Sequence, residues 1–132
     1  MKLHLKIINL EGVYLEKDVD FLNINTTAGE LTILANHQPL ITNVNISTLY
    51  YGDEGEDYYY AISGGTLFID EKECKIITSA IEDKDSIDIE RANKSKERAT
   101  TRLNDKDNPD IDFVRAEASL KRAINRINLT KK

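Results

Sequence analysis

Tryptophan is absent from this 132-residue chain, cysteine and methionine occur once each, and histidine and proline twice. A single cysteine, Cys74, excludes an internal disulfide, so the chain reads as a resident of a reducing compartment, the cytoplasm. No apolar run approaches the roughly 20 residues that cross a bilayer. Met1-Lys2-Leu3-His4-Leu5-Lys6 alternates where a signal peptide would carry an apolar block, and predicts folding from the first residue. His4 and His37 are far apart in sequence, with no second ligand type beside either, which speaks against a metal site. Gly-x-Ser-x-Gly, Gly-x-x-x-x-Gly-Lys and Gly-x-Gly-x-x-Gly are all missing. No catalytic constellation remains.

What is present divides in two. The net charge of −5 conceals 6 basic and 15 acidic side chains before residue 87, against 12 basic and 8 acidic after it. Such asymmetry points to two modules with different contacts. Over residues 1–83 apolar residues alternate in short runs, beginning with Leu3, Leu5 and Ile7. Turn clusters recur at Glu11-Gly12, Thr26 to Glu30, Gly52 to Gly55, Ser63-Gly64-Gly65 and Asp70 to Glu73. Many short strands at this spacing predict an antiparallel β-sandwich, with Ser63-Gly64-Gly65 as a tight turn between strands. Pro39 interrupts the pattern, since it cannot donate to a central ladder. His37 then satisfies a loop hydrogen bond, and Cys74 is a buried small apolar residue. Tyr50, Tyr51, Tyr58, Tyr59 and Tyr60 have the acidic neighbours Asp53, Glu54, Glu56 and Asp57, which repel nucleic acid and favour cross-strand packing.

After Ser79 the period changes to that of helices. Ile89, Ala92, Lys96, Ala99 and Leu103 fall three or four apart, as do Phe113, Ala116, Leu120, Ala123 and Ile127. The expectation is an antiparallel two-helix hairpin over residues 87–132. Asp85 or Ser86 would cap the first helix, and Pro109 would open the second. The seam is mostly alanine, so it buries little area and holds the hairpin weakly. Arg91, Arg98, Arg102, Arg115, Arg122 and Arg126 each sit one position before a seam residue. That offset is about 100° on a helix of 3.6 residues per turn. In an antiparallel pair, equal rotations point to the same side. The six guanidiniums line one face, suited by their planar forks to phosphate. A solvated surface with ion pairs to Glu90, Glu97 and Glu117 is the alternative.

Three stretches carry a family resemblance. Gly29-Glu30-Leu31-Thr32-Ile33-Leu34-Ala35-Asn36-His37-Gln38-Pro39-Leu40 is similar to Gly-x-Leu/Phe-Gly-Ile-Leu-Pro-x-His-x-Pro-Leu, with Thr32 and Ala35 in place of glycine and proline. Ser63-Gly64-Gly65 followed by Thr66-Leu67-Phe68-Ile69 is the second, and Ile87-Asp88-Ile89-Glu90-Arg91-Ala92 the third. In this order and spacing they resemble the epsilon subunit of bacterial F-type ATP synthases over the whole chain.

The resemblance implies a non-catalytic rotor subunit of the central stalk, peripheral on the cytoplasmic face of the cell membrane. Its sandwich, over residues 1–83, would bind the gamma subunit and the ring of c subunits, with Glu30 as the ring contact. Its hairpin, over 87–132, would restrain ATP hydrolysis when extended toward the catalytic head. The resemblance also implies ATP as a regulatory ligand of the folded hairpin. Glu82, Ile87, Asp88, Arg91, Ala92, Arg98, Arg122 and Arg126 match the residues of that site. No cofactor is required. The other reading is a structural clamp or adaptor whose basic hairpin meets an acidic protein and no nucleotide.

Overall fold

The computed structural model describes all residues from Met1 to Lys132. The chain separates into two compact units, Met1–Asp83 and Lys84–Lys132.

The first unit is built from β1 (Leu3–Asn9), β2 (Gly12–Val19), β3 (Phe21–Thr26), β4 (Gly29–Ile33), β5 (Leu40–Asp53), β6 (Glu56–Ile69), β7 (Cys74–Ile77) and β8 (Ile81–Asp83). They pair in the order β2-β1-β7-β6-β5-β3-β4, with β8 also on β6. Every pairing is antiparallel except β1 with β7. The period-2 pattern works as expected: Leu3, Leu5 and Ile7 are buried, while His4, Lys6 and Ile8 face outward. Leu22, Ile24, Ile33, Leu49, Ile62, Leu67 and Ile76 complete the centre of one apolar core.

Ser63-Gly64-Gly65 is no turn, contrary to the sequence expectation. It lies inside β6, a 14-residue strand paired with an equally long β5 on both sides of the glycines. Gly64 (φ +83°) and Gly65 (φ +143°) take conformations that residues with a β-carbon avoid, and so bend the strand without ending it. Before the bend β6 pairs with β8, and after it with β7. One strand thereby belongs to both pairings. Thr78 fixes the bend by donating its hydroxyl to the Gly64 carbonyl at 2.5 Å. In sequence a bend and a turn carry the same glycine signal.

The second unit opens with a single 3-10 turn at Lys84–Ser86. Helices α1 (Ile89–Asn104) and α2 (Phe113–Thr130) follow and pack on each other. The expected caps are displaced. Asp85 and Ser86 belong to the 3-10 turn, and Asp88 caps α1 by accepting the Arg91 amide at 3.1 Å. Pro109 stands short of α2, which Asp112 caps through the Arg115 amide at the same distance. Both helices thus start with Asp-x-x-Arg-Ala, and aspartate wins because its short carboxylate reaches the amide three residues on.

Ala92, Ala99, Ala116 and Ala123 are buried along the hairpin, as the spacing predicts. Lys96 is not on the seam; it is exposed, and half-buried Ser95 is its neighbour toward the seam. Position 95 is three from Ala92 and four from Ala99, so it serves equally well, and the lysine keeps its ammonium in water. Leu129 is fully buried although it lies outside the predicted stripe. It marks a second covered face on α2, which also packs against the 3-10 turn.

The arginine face and its surroundings

Arg91, Arg98 and Arg102 lie on α1 at spacings of two turns and one turn, and Arg115, Arg122 and Arg126 repeat those spacings on α2. Arg91, Arg98, Arg102 and Arg115 are exposed, whereas Arg122 and Arg126 are half-buried. The ion pairs expected for a merely solvated face are not made. Glu117 pairs with Lys121 at 3.6 Å, and neither Glu90 nor Glu97 pairs with an arginine. Arg98 instead donates to the Ser95 hydroxyl at 3.1 Å. Five guanidiniums, all but Arg126, therefore keep their charge available to an anion.

The remaining residues of the expected nucleotide set differ in what they can offer. Asp88 has one carboxylate oxygen committed to the Arg91 amide, and its carbonyl accepts the Ala92 amide at 3.0 Å. The other carboxylate oxygen remains for a ligand. The Ala92 methyl is buried in the seam and Ile87 is half-buried before α1. Glu82 lies on β8, in the first unit. An open depression of ≈ 630 Å³ does occur on α1, but it is lined by Asn93, Lys96, Glu97, Thr100 and Thr101. Those residues lie across the helix from the arginines.

On the sandwich, Glu30 is exposed on β4 and accepts from Asn23 at 3.0 Å; the same amide donates to Thr32 at 3.1 Å. The hydroxyl of Thr32 thus acquires a partner that glycine would not supply. His37 meets the Gln38 carbonyl at 2.7 Å, the loop bond expected of it. Tyr50 stacks on Tyr59 and Tyr51 on Tyr58, directly across the β5–β6 pairing. Cys74 is fully buried.

His4 departs from the sequence expectation. Its ring nitrogens lie 2.7 Å from Asp18 and 2.9 Å from Glu16, and Glu73 is close by. Residues 12 to 69 positions away are brought together because β1 lies between β2 and β7, an arrangement that sequence distance hides. The two carboxylates raise the imidazole's pKa above its ordinary value.

Against known proteins, residues 2–84 match the family described as ATP synthase, Delta/Epsilon chain, beta-sandwich domain. Residues 85–131 match the ATP synthase, Delta/Epsilon chain, long alpha-helix domain. The chain belongs to the delta/epsilon chain family of ATP synthase. Its relatives include the ATP synthase epsilon chain of Mycoplasmopsis pulmonis, 36% identical over 98% of this chain and 94% of that one. The epsilon chain of Bacillus mycoides is also 36% identical, over 94% and 92% respectively. This family's two-part fold recurs in a chain of the Euglena gracilis mitochondrial ATP synthase (OSCP/F1/c-ring), with a TM-score of 0.80 and 23% identity. That likeness covers 91% of this chain and 76% of the other. No helix is long and apolar enough to cross a membrane.

Proposed function

We propose that this delta/epsilon-family chain is a non-catalytic, epsilon-type subunit of the rotor's central stalk, whose hairpin regulates ATP hydrolysis and takes ATP as its ligand. The sandwich seats on the gamma subunit and the c-subunit ring, with Glu30 at the ring, on the cytoplasmic face of the membrane. The hairpin approaches the acidic catalytic head when extended and is held folded by ATP.

The observation that carries the nucleotide part is the row of Arg91, Arg98, Arg102, Arg115 and Arg122, five guanidiniums that Glu90, Glu97 and Glu117 leave without an ion pair. Phosphate gains from charge-assisted bonds to guanidinium. Arg91, Arg98, Arg122 and Arg126 take the phosphates, and the open oxygen of Asp88 meets the base beside Ile87 and Ala92. Glu82, on the sandwich, is included on resemblance alone. A ligand that binds one hairpin state shifts the population by its differential affinity and no further.

One feature favours the rival reading of a clamp that meets acidic protein and no nucleotide. The depression on α1 lies away from the arginines, which form an open surface. Calorimetric titration of the full chain with ATP, with tripolyphosphate in parallel, separates the two. Saturable binding with ATP tighter than tripolyphosphate is expected; no saturable heat from either supports the clamp.

A further inference from the structure

The outer face of the β2-β1-β7 edge holds a donor set that the stalk role leaves unused. β1 sends Leu3, Leu5 and Ile7 into the core and His4 outward. Asp18 stands directly opposite His4 on β2, and Glu16 lies one outward position along the same strand. On the other flank Cys74 pairs with Leu5 in the parallel ladder, which sets Glu73 level with His4. One donor atom from each of His4, Glu16 and Glu73 lies within 4.8 Å of the others.

The bonds of His4 divide its two ring nitrogens by role. Nδ1 lies 2.7 Å from an oxygen of Asp18, and Nε2 lies 2.9 Å from an oxygen of Glu16, on the side where the donor set converges. A carboxylate that accepts Nδ1–H fixes the tautomer and aims the Nε2 lone pair at a metal. Bonds of about 2.0–2.1 Å to zinc put tetrahedral ligands about 3.3 Å apart. His4 Nε2 and Glu16 stand 2.9 Å apart and all three donors lie within 4.8 Å of one another, so small side-chain rotations on the sheet close the set. Two carboxylates balance a dication. Lys6, beside Glu16 on the paired strand, Lys75, beside Lys6 across β7, and Lys2 and Lys72, which share a depression with His4 and Glu73, are the opposing charges nearby. One imidazole with two carboxylates suits a borderline first-row ion, and leaves a coordination position for water or a partner's side chain.

We infer that His4, Glu16 and Glu73 form a binding site for a divalent transition-metal ion of the zinc type, with Asp18 orienting the His4 ring. The ion ties β2 and β7 to β1 and takes the place of the proton now between His4 and Glu16.

The test is a Zn²⁺ titration of the full chain by calorimetry, with histidine ring resonances followed by NMR. One saturable site is expected, with the His4 resonances shifting. Zn²⁺ also raises the melting temperature by mass action. Glu73→Gln, which keeps the side-chain shape, and His4→Ala both abolish the site. Asp18→Asn lowers affinity about 10- to 100-fold, the usual effect of a lost ring-orienting partner. His37→Ala, at a residue that lines the same depression but lies outside the donor set, retains the site. Circular dichroism of each variant shows that the sandwich remains folded. Absence of saturable Zn²⁺ binding by the full chain overturns the assignment, as does binding that survives both His4→Ala and Glu73→Gln.

Discussion

Gly65 faces Ile77 so closely that a β-carbon on it would stand 2.1 Å from the Ile77 carbonyl oxygen. The obstacle is backbone, which no side-chain rotation can relieve. Gly65 also has φ +143°, a region that residues with a β-carbon rarely adopt. Backbone strain and overpacking each cost about 1–3 kcal/mol. Gly65→Ala is therefore expected to lose about 3 kcal/mol or more. Denaturant unfolding of the full chain measures it, and a loss within about 0.5 kcal/mol, typical of a neutral surface change, would show that the bend tolerates a side chain.

Cys74 gives a prediction of opposite character. It sits between Leu5 of β1 and Ile69 of β6, fully buried, and burial pushes its thiol up to about 12. The thiolate is the nucleophile. Thiol reagents at mildly alkaline pH are expected to leave the folded chain untouched and to label it once denaturant has unfolded the sandwich. Rapid labelling of the native chain would mean that β7 opens readily.

The strand and helix alternation of Leu3, Leu5 and Ile7, and of Ala92, Ala99, Ala116 and Ala123, was legible because it records burial on one face. Element ends were less so. Asp85, Ser86 and Asp88 are all competent caps by type, and only the backbone leading into α1 selects Asp88. Gly64 and Gly65 read as a turn because sequence shows the positive φ they permit and not the strand that continues through them. On each helix the offsets from the seam set the arginines on one side, and local spacing suffices for that. The group around His4 depends on which strands are neighbours, and a parallel β1–β7 pair is invisible to local pattern.

The Asp88 cap makes its own substitution ambiguous unless serine is tried beside alanine. Asp88→Ala loses the bond to the Arg91 amide and is expected to cost the hairpin about 1 kcal/mol; Asp88→Ser keeps a capping oxygen. Both should weaken ATP, since neither has the second carboxylate oxygen, while tripolyphosphate is little affected. Asp112→Ala, which removes the equivalent cap of α2, should cost the same stability and leave ATP affinity unchanged. Amide exchange reads the stability and calorimetry the affinity. Retention of ATP by Asp88→Ser would reduce Asp88 to a cap and nothing more.

The arginines test whether the face is a pocket or a field. Arg91 stands on the first turn of α1 and Arg126 near the end of α2, ends that an antiparallel hairpin brings together, on the side of Asp88. Arg102 and Arg115 lie at the opposite end, by the interhelical connection. Bonds to charged groups are worth about 1.5–3 kcal/mol. Arg91→Ala and Arg126→Ala are each expected to weaken ATP about 10- to 150-fold, with Arg102→Ala and Arg115→Ala changing it far less. In the assembled synthase the first two should release the hairpin and deepen inhibition of hydrolysis at a given ATP concentration. A pocket predicts this gradient along the helices. A diffuse field predicts equal losses at all six positions, each shrinking together as salt is raised. If Arg91→Ala and Arg126→Ala bind ATP as the unsubstituted chain does, the nucleotide reading fails, and the face belongs to an acidic protein surface.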